Sequence, residues 1–244
     1  MQNATTRRNP AVFLFDVDNT LLDNDRVTTD LAAHLEREVG AEHAELYWRI
    51  FERLRAELGY ADYLGALQRY RVEHPHDPGL LTVSHFLINY PFASRLFPRA
   101  LEVLAGVEPW GPAVILSDGD VVFQPRKVER SGIFKAVAGR VLIYVHKEEE
   151  LADVERRYPA DHYVFVDDKL RLLTAVKRIW DARVTTIFVR QGHYATDQKL
   201  TAAYPPADIM VNRIGELLDY DFAGLLGRAT GPQAHGQARD PRGE

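Results

Sequence analysis

A short apolar run that ends in two closely spaced aspartates is the feature that most constrains this chain. Residues 11–15 read Ala-Val-Phe-Leu-Phe, and Asp16 and Asp18 follow with one valine between them. The run is short, carries Val and Phe, and is bounded by Pro10 and Asp16, which predicts a buried strand rather than a helix. Two carboxylates this close repel each other unless a cation or a shared proton relieves the repulsion. The pair therefore indicates a functional site at the end of a strand, where open α/β sheets bind their ligands.

The next part of the sequence, up to about residue 109, has helical periodicity. A helix is predicted after Thr28 or Thr29, ending at Gly40, and a second from about Ala41 to Leu58, whose apolar residues recur at spacings of three and four. Further helices are predicted at about residues 61–72, 80–89 and 99–104. The absence of any strand pattern in this part of the sequence predicts an all-helical insert after the first strand.

Beyond Pro112 apolar strands and helical segments alternate, which is typical of a parallel sheet with helices on both faces. These strands are predicted at residues 113–116, 140–145, 162–166, 184–189 and 207–211. The organisation predicted from this change of pattern has three parts: a core domain of residues 1–24 and 108–226, a helical domain of residues 25–107, and a disordered tail of residues 227–244, which is rich in Gly, Pro, Gln and Arg.

Polar side chains follow four of the predicted strands. In chain order they are Asp16 with Asp18, Ser117, Lys147, and Asp167 with Asp168. Because the carboxyl ends of parallel strands lie on one edge of a sheet, these residues are expected to converge on one pocket. The chain contains no cysteine, and several carboxylates without thiolates favour a hard cation such as Mg²⁺.

Four of these polar residues also have a simpler interpretation. Asp16 and Asp18 could belong to an Asx-capped turn, and Ser117 could cap the turn that follows it. Lys147 opens the run Lys-Glu-Glu-Glu, which could be a solvated helix start with acids near the positive end of the helix dipole. A second lysine, Lys127, is predicted to lie on a helix surface.

Taken in order, Asp-x-Asp-x-Thr after a strand, Ser117, Lys147 and the pair at 167–168 resemble the four motifs of the haloacid dehalogenase-like hydrolase superfamily. The resemblance covers about residues 12–189, with the helical insert in the position of that superfamily's C1 cap. It implies an α/β fold: a Rossmann-like parallel sheet flanked by helices, with an inserted all-helical cap domain. Asn19 stands where many members have Gly, and it suits the same turn because Asn tolerates left-handed backbone geometry.

The resemblance also implies roles for individual residues. Asp16 would be the nucleophile and Asp18 the general acid/base. Phosphate would be bound by Thr20, Ser117, Asp118 and Lys147. Mg²⁺ would be held by Asp16, the backbone carbonyl of Asp18, and Asp167 with Asp168. Of this last pair, one would bind the ion directly and the other would act from its outer shell, and which does which stays open.

The function predicted on this basis is a Mg²⁺-dependent phosphatase that hydrolyses a small phosphorylated metabolite through an aspartyl-phosphate intermediate. A phosphomutase or phosphotransferase on the same fold, and a non-catalytic phospho-ligand binding protein, stay open as alternatives. A dehalogenase is disfavoured because that branch lacks the second aspartate, here Asp18. A phosphonatase is disfavoured because residues 27–109 contain no lysine. A phospho-accepting receiver domain is disfavoured because that fold does not accommodate the helical insert after the first strand.

Composition and charge limit the classes of molecule that this protein is expected to bind. The net charge is −5 with mixed charges along the chain and no basic stripe, which argues against nucleic acid. No apolar stretch approaches a membrane span, and the run at residues 11–15 is too short for a signal sequence core. A cytoplasmic protein acting on a small phosphorylated substrate, of undetermined oligomeric state, is expected.

Overall fold

The centre of the molecule is a parallel sheet, seen in a computed structural model that describes residues 9–229. Its strands are β1 (Asn9–Phe15), β2 (Ala113–Asp118), β3 (Val141–Tyr144), β4 (Ala160–Asp167), β5 (Val184–Val189) and β6 (Ile209–Val211). They form a six-stranded sheet in the order β3-β2-β1-β4-β5-β6, and all neighbouring strands pair in parallel. The strand order reverses beside β1, so a ligand crevice is expected between the ends of β1 and β4.

Burial on both faces explains why the strands read as apolar runs rather than as alternating patterns. All residues from Ala11 to Phe15 are fully buried. Phe13 and Phe15 belong to one apolar cluster, and Val12 and Leu14 belong to the cluster on the opposite face of the sheet. The sheet is thus enclosed by two apolar layers, and its polar residues are confined to its ends.

The chain between β1 and β2 is helical, as predicted. It comprises α1 (Asn24–Val39), α2 (Ala41–Leu58), α3 (Tyr63–Glu73), α4 (Leu80–Asn89) and α5 (Ala100–Val107), with a 3-10 turn at Phe92–Arg95. Helices α1 to α4 pack on one another, whereas α5 packs against β2 and the 3-10 turn at Ile214–Asp219. The division of the chain into domains at residue 107 stays a prediction, and the packing of α5 places this helix with the sheet.

Helix α1 begins earlier than predicted. Asp23 is its N-cap, and the Asp23 carboxylate accepts a hydrogen bond from the Arg26 amide at 2.9 Å. The hydroxyls of Thr28 and Thr29 instead donate to the carbonyls of Asn24 and Asp25 one turn back, at 3.0 and 2.9 Å. An aspartate in the preceding loop therefore caps the helix, and the threonines lie inside its first turns.

The two connections between the sheet and α1–α4 run side by side. The Phe97 amide donates to the Leu21 carbonyl at 2.9 Å, and the Asp23 amide donates to the Arg95 carbonyl at 2.8 Å. Leu22 and Leu96 also form an antiparallel bridge. The helical insert thus joins the core through two hydrogen-bonded segments that lie just beyond the Asp16–Thr20 turn.

Helices after β2 flank the sheet. They are α6 (Phe123–Arg130), α7 (Ile133–Ala136), α8 (Leu151–Arg157), α9 (Leu170–Trp180), α10 (Gly192–Thr196), α11 (Gln198–Ala202) and α12 (Phe222–Ala229). Helices α10 and α11 were not predicted, and α12 extends through Ala229, so residues 227–229 of the predicted tail are helical. The rest of that tail, residues 230–244, lies outside the described residues. Among residues 9–229, no helix combines the length and apolarity that a membrane span requires.

Candidate active site

The ends of β1 and β4 bring two aspartates against one buried lysine. Asp16 directly follows β1 and Asp167 is the last residue of β4. Lys147 Nζ lies 2.5 Å from Asp16 Oδ1 and 2.7 Å from Asp167 Oδ2, and it donates to the Leu116 carbonyl at 3.3 Å. These residues come from three strand ends, as the parallel topology predicts.

Lys147 is fully buried, so its interpretation as a solvated helix start is wrong. It opens a 3-10 turn after β3, and its amide donates to Asp118 Oδ1 at 2.7 Å. Burial alone would lower the pKa of Lys147, but the carboxylates of Asp16 and Asp167 outweigh it and raise that pKa. The side chain is therefore a permanent cation at the centre of the site.

Three buried carboxylates form a group that could hold a metal ion. Asp16, Asp167 and Asp168 each place one carboxylate oxygen within 4.8 Å of the others. Asp16 Oδ2 and both carboxylate oxygens of Asp168 have no hydrogen-bond partner among residues 9–229. Unpartnered buried carboxylate oxygens are costly unless a cation compensates them. The donor set consists of oxygens alone, which fits Mg²⁺.

Burial raises the pKa of two carboxyls in this group. Burial raises the pKa of Asp167 to about 6, against the lowering effect of Lys147. Burial raises the pKa of Asp168 well above its usual range, and the nearby Lys169 only partly opposes that rise. A bound divalent cation would favour the charged forms of both carboxylates.

The side chain of Asp18 lies outside this carboxylate group and has its own lysine. Lys127 Nζ lies 2.6 Å from Asp18 Oδ1 and 2.9 Å from Asn24 Oδ1. Lys127 is only 1% exposed, so the prediction that it lies on a helix surface is wrong. Helix α6 begins at Phe123, and its buried residues Phe123 and Lys127 are one turn apart. The i, i+4 spacing from an apolar residue was the signal that could have placed Lys127 inward.

The predicted phosphate-binding residues lie at the same edge of the sheet as the carboxylates, and each has its own hydrogen-bonding environment. Ser117 is buried at the end of β2, and its hydroxyl accepts a hydrogen bond from Gln124 Nε2 at 2.9 Å. Asp118 is engaged through its carboxylate by the Lys147 amide, so any phosphate contact would use its backbone. Thr20 Oγ1 is buried without a hydrogen-bond partner among the described residues. Their roles in phosphate binding stay predictions.

Asn19 shapes the turn as expected. It adopts a left-handed conformation, with φ of 60°. Its side-chain oxygen accepts from the amides of Asn24 and Asp25 at 3.0 and 3.2 Å. This residue thereby connects the loop after β1 to the first turn of α1.

A cavity of about 1120 Å³ is lined both by the core and by the helical insert. Asp18 and Lys169 line it from the core, and the insert contributes aromatic side chains. The aromatic lining residues of the insert are Trp48, Phe51, Tyr60 and Tyr63. Several of the insert's aromatic residues thus face the cavity and do not serve the insert's own packing alone.

The segment of α10 and α11 lines the same cavity, and sequence reasoning missed it. His193 donates its amide to Asp25 Oδ2 at 2.8 Å, and the hydroxyl of Tyr194 contacts the guanidinium of Arg55 on α2. Both contacts join the core to the insert beside the cavity. No motif in residues 192–202 predicts that this segment lines the cavity, because its location depends on the fold of the chain between β5 and β6.

Comparison with known proteins places this architecture in a family. No protein-family model and no curated protein matches the chain. A solved structure from Burkholderia xenovorans LB400, assigned as a haloacid dehalogenase-like hydrolase, is 62% identical, covers 87% of this chain and 99% of its own, and superposes with a TM-score of 0.84. The chain belongs to the haloacid dehalogenase-like hydrolases.

More distant members of the superfamily share the fold. The L-2-haloacid dehalogenase of Xanthobacter autotrophicus is 20% identical over 86% of this chain and 97% of its own, with a TM-score of 0.53. The magnesium-bound HAD-hydrolase YfnB of Bacillus subtilis is 15% identical over 87% of this chain and 98% of its own, with a TM-score of 0.56. At this level of identity, both comparisons show the fold of the superfamily alone.

Proposed function

We propose that this haloacid dehalogenase-like hydrolase is a Mg²⁺-dependent phosphatase that acts on small phosphorylated metabolites through an aspartyl-phosphate on Asp16. The observation that carries the proposal is the division of carboxylates at the sheet edge. Asp16, Asp167 and Asp168 form a buried oxygen cluster, while Asp18 stands apart on Lys127. Phosphoryl transfer requires both parts: a cation site for the phosphoryl charge and a separate group for proton transfer.

The residues present can divide the reaction into two displacements. A carboxylate oxygen of Asp16 attacks phosphorus, and the bond from phosphorus to the leaving oxygen breaks while Asp18, in its protonated form, donates a proton to that oxygen. Asp18 then accepts a proton from the water that attacks the phosphorus of the aspartyl-phosphate. The bond from phosphorus to Asp16 breaks, which releases inorganic phosphate and restores the Asp16 carboxylate and the protonated form of Asp18.

Other groups supply charge and orientation. Lys147 contacts Asp16 directly, so its ammonium lies beside the position that a phosphoryl group bonded to Asp16 would take. Asp16, Asp167, Asp168 and the Asp18 carbonyl would hold Mg²⁺, which supplies positive charge to the phosphoryl oxygens when bound. The overlying helices would keep water from the bond that breaks and select the substrate by shape.

The presence of Asp18 also distinguishes this proposal from dehalogenation, the activity named for the distant relative from Xanthobacter autotrophicus. A halide leaves as a stable anion, so its displacement requires no proton donor. A dehalogenation also involves no phosphoryl group, and so it needs no cation to neutralise one. An alcohol leaving from phosphorus does require a proton. A phosphomutase would use the same residues but return the phosphoryl group to a sugar instead of water.

Hydrolysis of 4-nitrophenyl phosphate, compared with chloride release from L-2-chloropropionate, tests the proposal. We expect phosphate release with Mg²⁺, loss of that release on addition of excess EDTA, and recovery when Mg²⁺ is restored, because the carboxylate cluster lacks a compensating divalent charge without the ion. A panel of phosphorylated metabolites would include acceptor sugars to detect transfer. Chloride release, or phosphate release that EDTA leaves unchanged, would contradict the proposal.

The metal site has its own prediction. The double variant Asp167→Ala with Asp168→Ala should lose activity and also the increase in melting temperature that Mg²⁺ causes in the wild type, because a ligand stabilises only a state that binds it. Differential scanning fluorimetry across a Mg²⁺ titration measures this. Asp219→Ala, at an exposed aspartate beyond β6, is the control and should keep the full shift. An unchanged shift in the double variant would refute the metal assignment.

A further inference from the structure

We infer that Lys127 is a positioning residue that holds the carboxylate of Asp18 in the orientation required for proton transfer. The inference rests on the proposed phosphatase chemistry, in which Asp18 exchanges protons with the leaving group and with water. It assigns a function to a buried cation that the four sequence motifs do not include.

The contacts of Lys127 are few and specific. Its Nζ lies 2.6 Å from Asp18 Oδ1 and 2.9 Å from Asn24 Oδ1, and 5.3 Å from the centre of the Phe123 ring. A charge-assisted hydrogen bond of this length is among the stronger ones in proteins. The ammonium thus reaches from α6 to the acid/base, with the aromatic ring beside it.

A purely structural role would not favour a lysine here. Lys127 belongs to the buried face of α6, and taking an ammonium out of water costs several kcal/mol that an apolar side chain of similar size would avoid. Both oxygens that the ammonium contacts belong to residues that line the cavity, Asp18 and Asn24. The ammonium group of Lys127 therefore contacts residues of the cavity and does not contribute to the packing of the apolar core.

Asp18 requires such a partner because it has no other cation within contact distance among the described residues. Lys147 contacts Asp16 and Asp167 instead. The Asp18 side chain is 25% exposed and lines the cavity, so without Lys127 its carboxylate could rotate toward water. A displacement of about 1 Å in a reacting group can cost on the order of 10²-fold in rate.

The contacts of Lys127 also extend to the helical insert. Asn24, which shares the ammonium, donates through Nδ2 to the Tyr63 hydroxyl at 3.3 Å, and the Thr28 hydroxyl lies 2.9 Å from the same oxygen. Asn24 opens α1 and Tyr63 opens α3. Asp18 is thus connected through Lys127 and Asn24 to helices α1 and α3. The orientation of the Asp18 carboxylate therefore depends on the position of the helical insert relative to the core.

Rapid-quench kinetics of Lys127→Met tests the inference, because this method measures formation and breakdown of the phosphoenzyme separately. We expect kcat to fall by about 10²-fold, with KM little changed and phosphoenzyme breakdown slowed. Formation should slow more for an alkyl phosphate than for 4-nitrophenyl phosphate, whose leaving group departs without a proton. Lys135→Met, at an exposed lysine on α7, is the matched control and should keep wild-type kinetics.

A double-mutant cycle separates positioning from a general structural effect. If Lys127 acts through Asp18, then Lys127→Met should cause no further loss in an Asp18→Asn background. Lys127→Gln, which keeps a polar group, repeats the cycle should the methionine variant fold poorly. Additive losses, or equal losses for the two substrates, would overturn the inference. Absence of phosphate release by the wild type would overturn the proposed function itself, whereas normal turnover by a folded Lys127 variant would overturn the positioning role alone.

Discussion

Asp16→Asn is expected to abolish turnover, with kcat reduced by on the order of 10⁴-fold or more, while the protein stays folded. An amide is a far weaker nucleophile than a carboxylate, so the aspartyl-phosphate could not form. Asp16 directly follows β1, contacts Lys147 and has one carboxylate oxygen without a hydrogen-bond partner among the described residues.

Mass spectrometry after acid quench measures the intermediate directly. The wild type, mixed with excess aryl phosphate and Mg²⁺, should carry a phosphoryl group on the peptide that contains Asp16, and the variant should carry none. Asp219→Asn serves as a control for the substitution itself. Circular dichroism of the variant should match the wild type, and turnover near the wild-type rate in a folded variant would refute covalent catalysis by Asp16.

Lys147→Met is expected to be the most destabilising of these substitutions, by about 3–5 kcal/mol in the absence of Mg²⁺. The ammonium is fully buried and contacts both Asp16 and Asp167. Its removal leaves two carboxylates at the sheet edge without their compensating charge. Activity should fall as well, because the proposed mechanism places this cation beside the transferred phosphoryl group.

Urea unfolding with and without Mg²⁺ measures this effect. The divalent ion should restore part of the lost stability in Lys147→Met, since the proposed Mg²⁺ site includes the carboxylates that Lys147 contacts. Lys135→Met, which removes an exposed lysine, should change the free energy of unfolding by no more than about 0.5 kcal/mol. Equal stability of the two methionine variants without Mg²⁺ would contradict the assigned role of Lys147.

Much of the architecture could be predicted because local patterns agreed with it. The strand at residues 184–189 and the helix at residues 41–58 have the predicted bounds, since each is a well-formed apolar or amphipathic segment with clear ends. The prediction for α1 failed at its start because Asp23 and the two threonines are all acceptable caps. Choosing among them required the hydrogen bonds of the folded loop.

The candidate site shows the same division. Asp16, Ser117, Lys147 and the pair at 167–168 were predicted to converge because each follows a strand of one parallel sheet. The individual roles of these residues were harder to predict from the sequence. The sequence left open whether Lys147 is buried, and it gave no reason to connect Lys127 with Asp18.

The sequence by itself determined that this chain forms a parallel α/β sheet with a helical insert and a cluster of polar strand ends, because apolar periodicity and strand ends are local properties. Only the tertiary structure decided which lysine serves which aspartate. Lys127 is 109 positions from Asp18, and Lys147 is 131 positions from Asp16. Pairing of charges over such separations depends on the distances and burial that packing creates, and no local pattern of residues contains them.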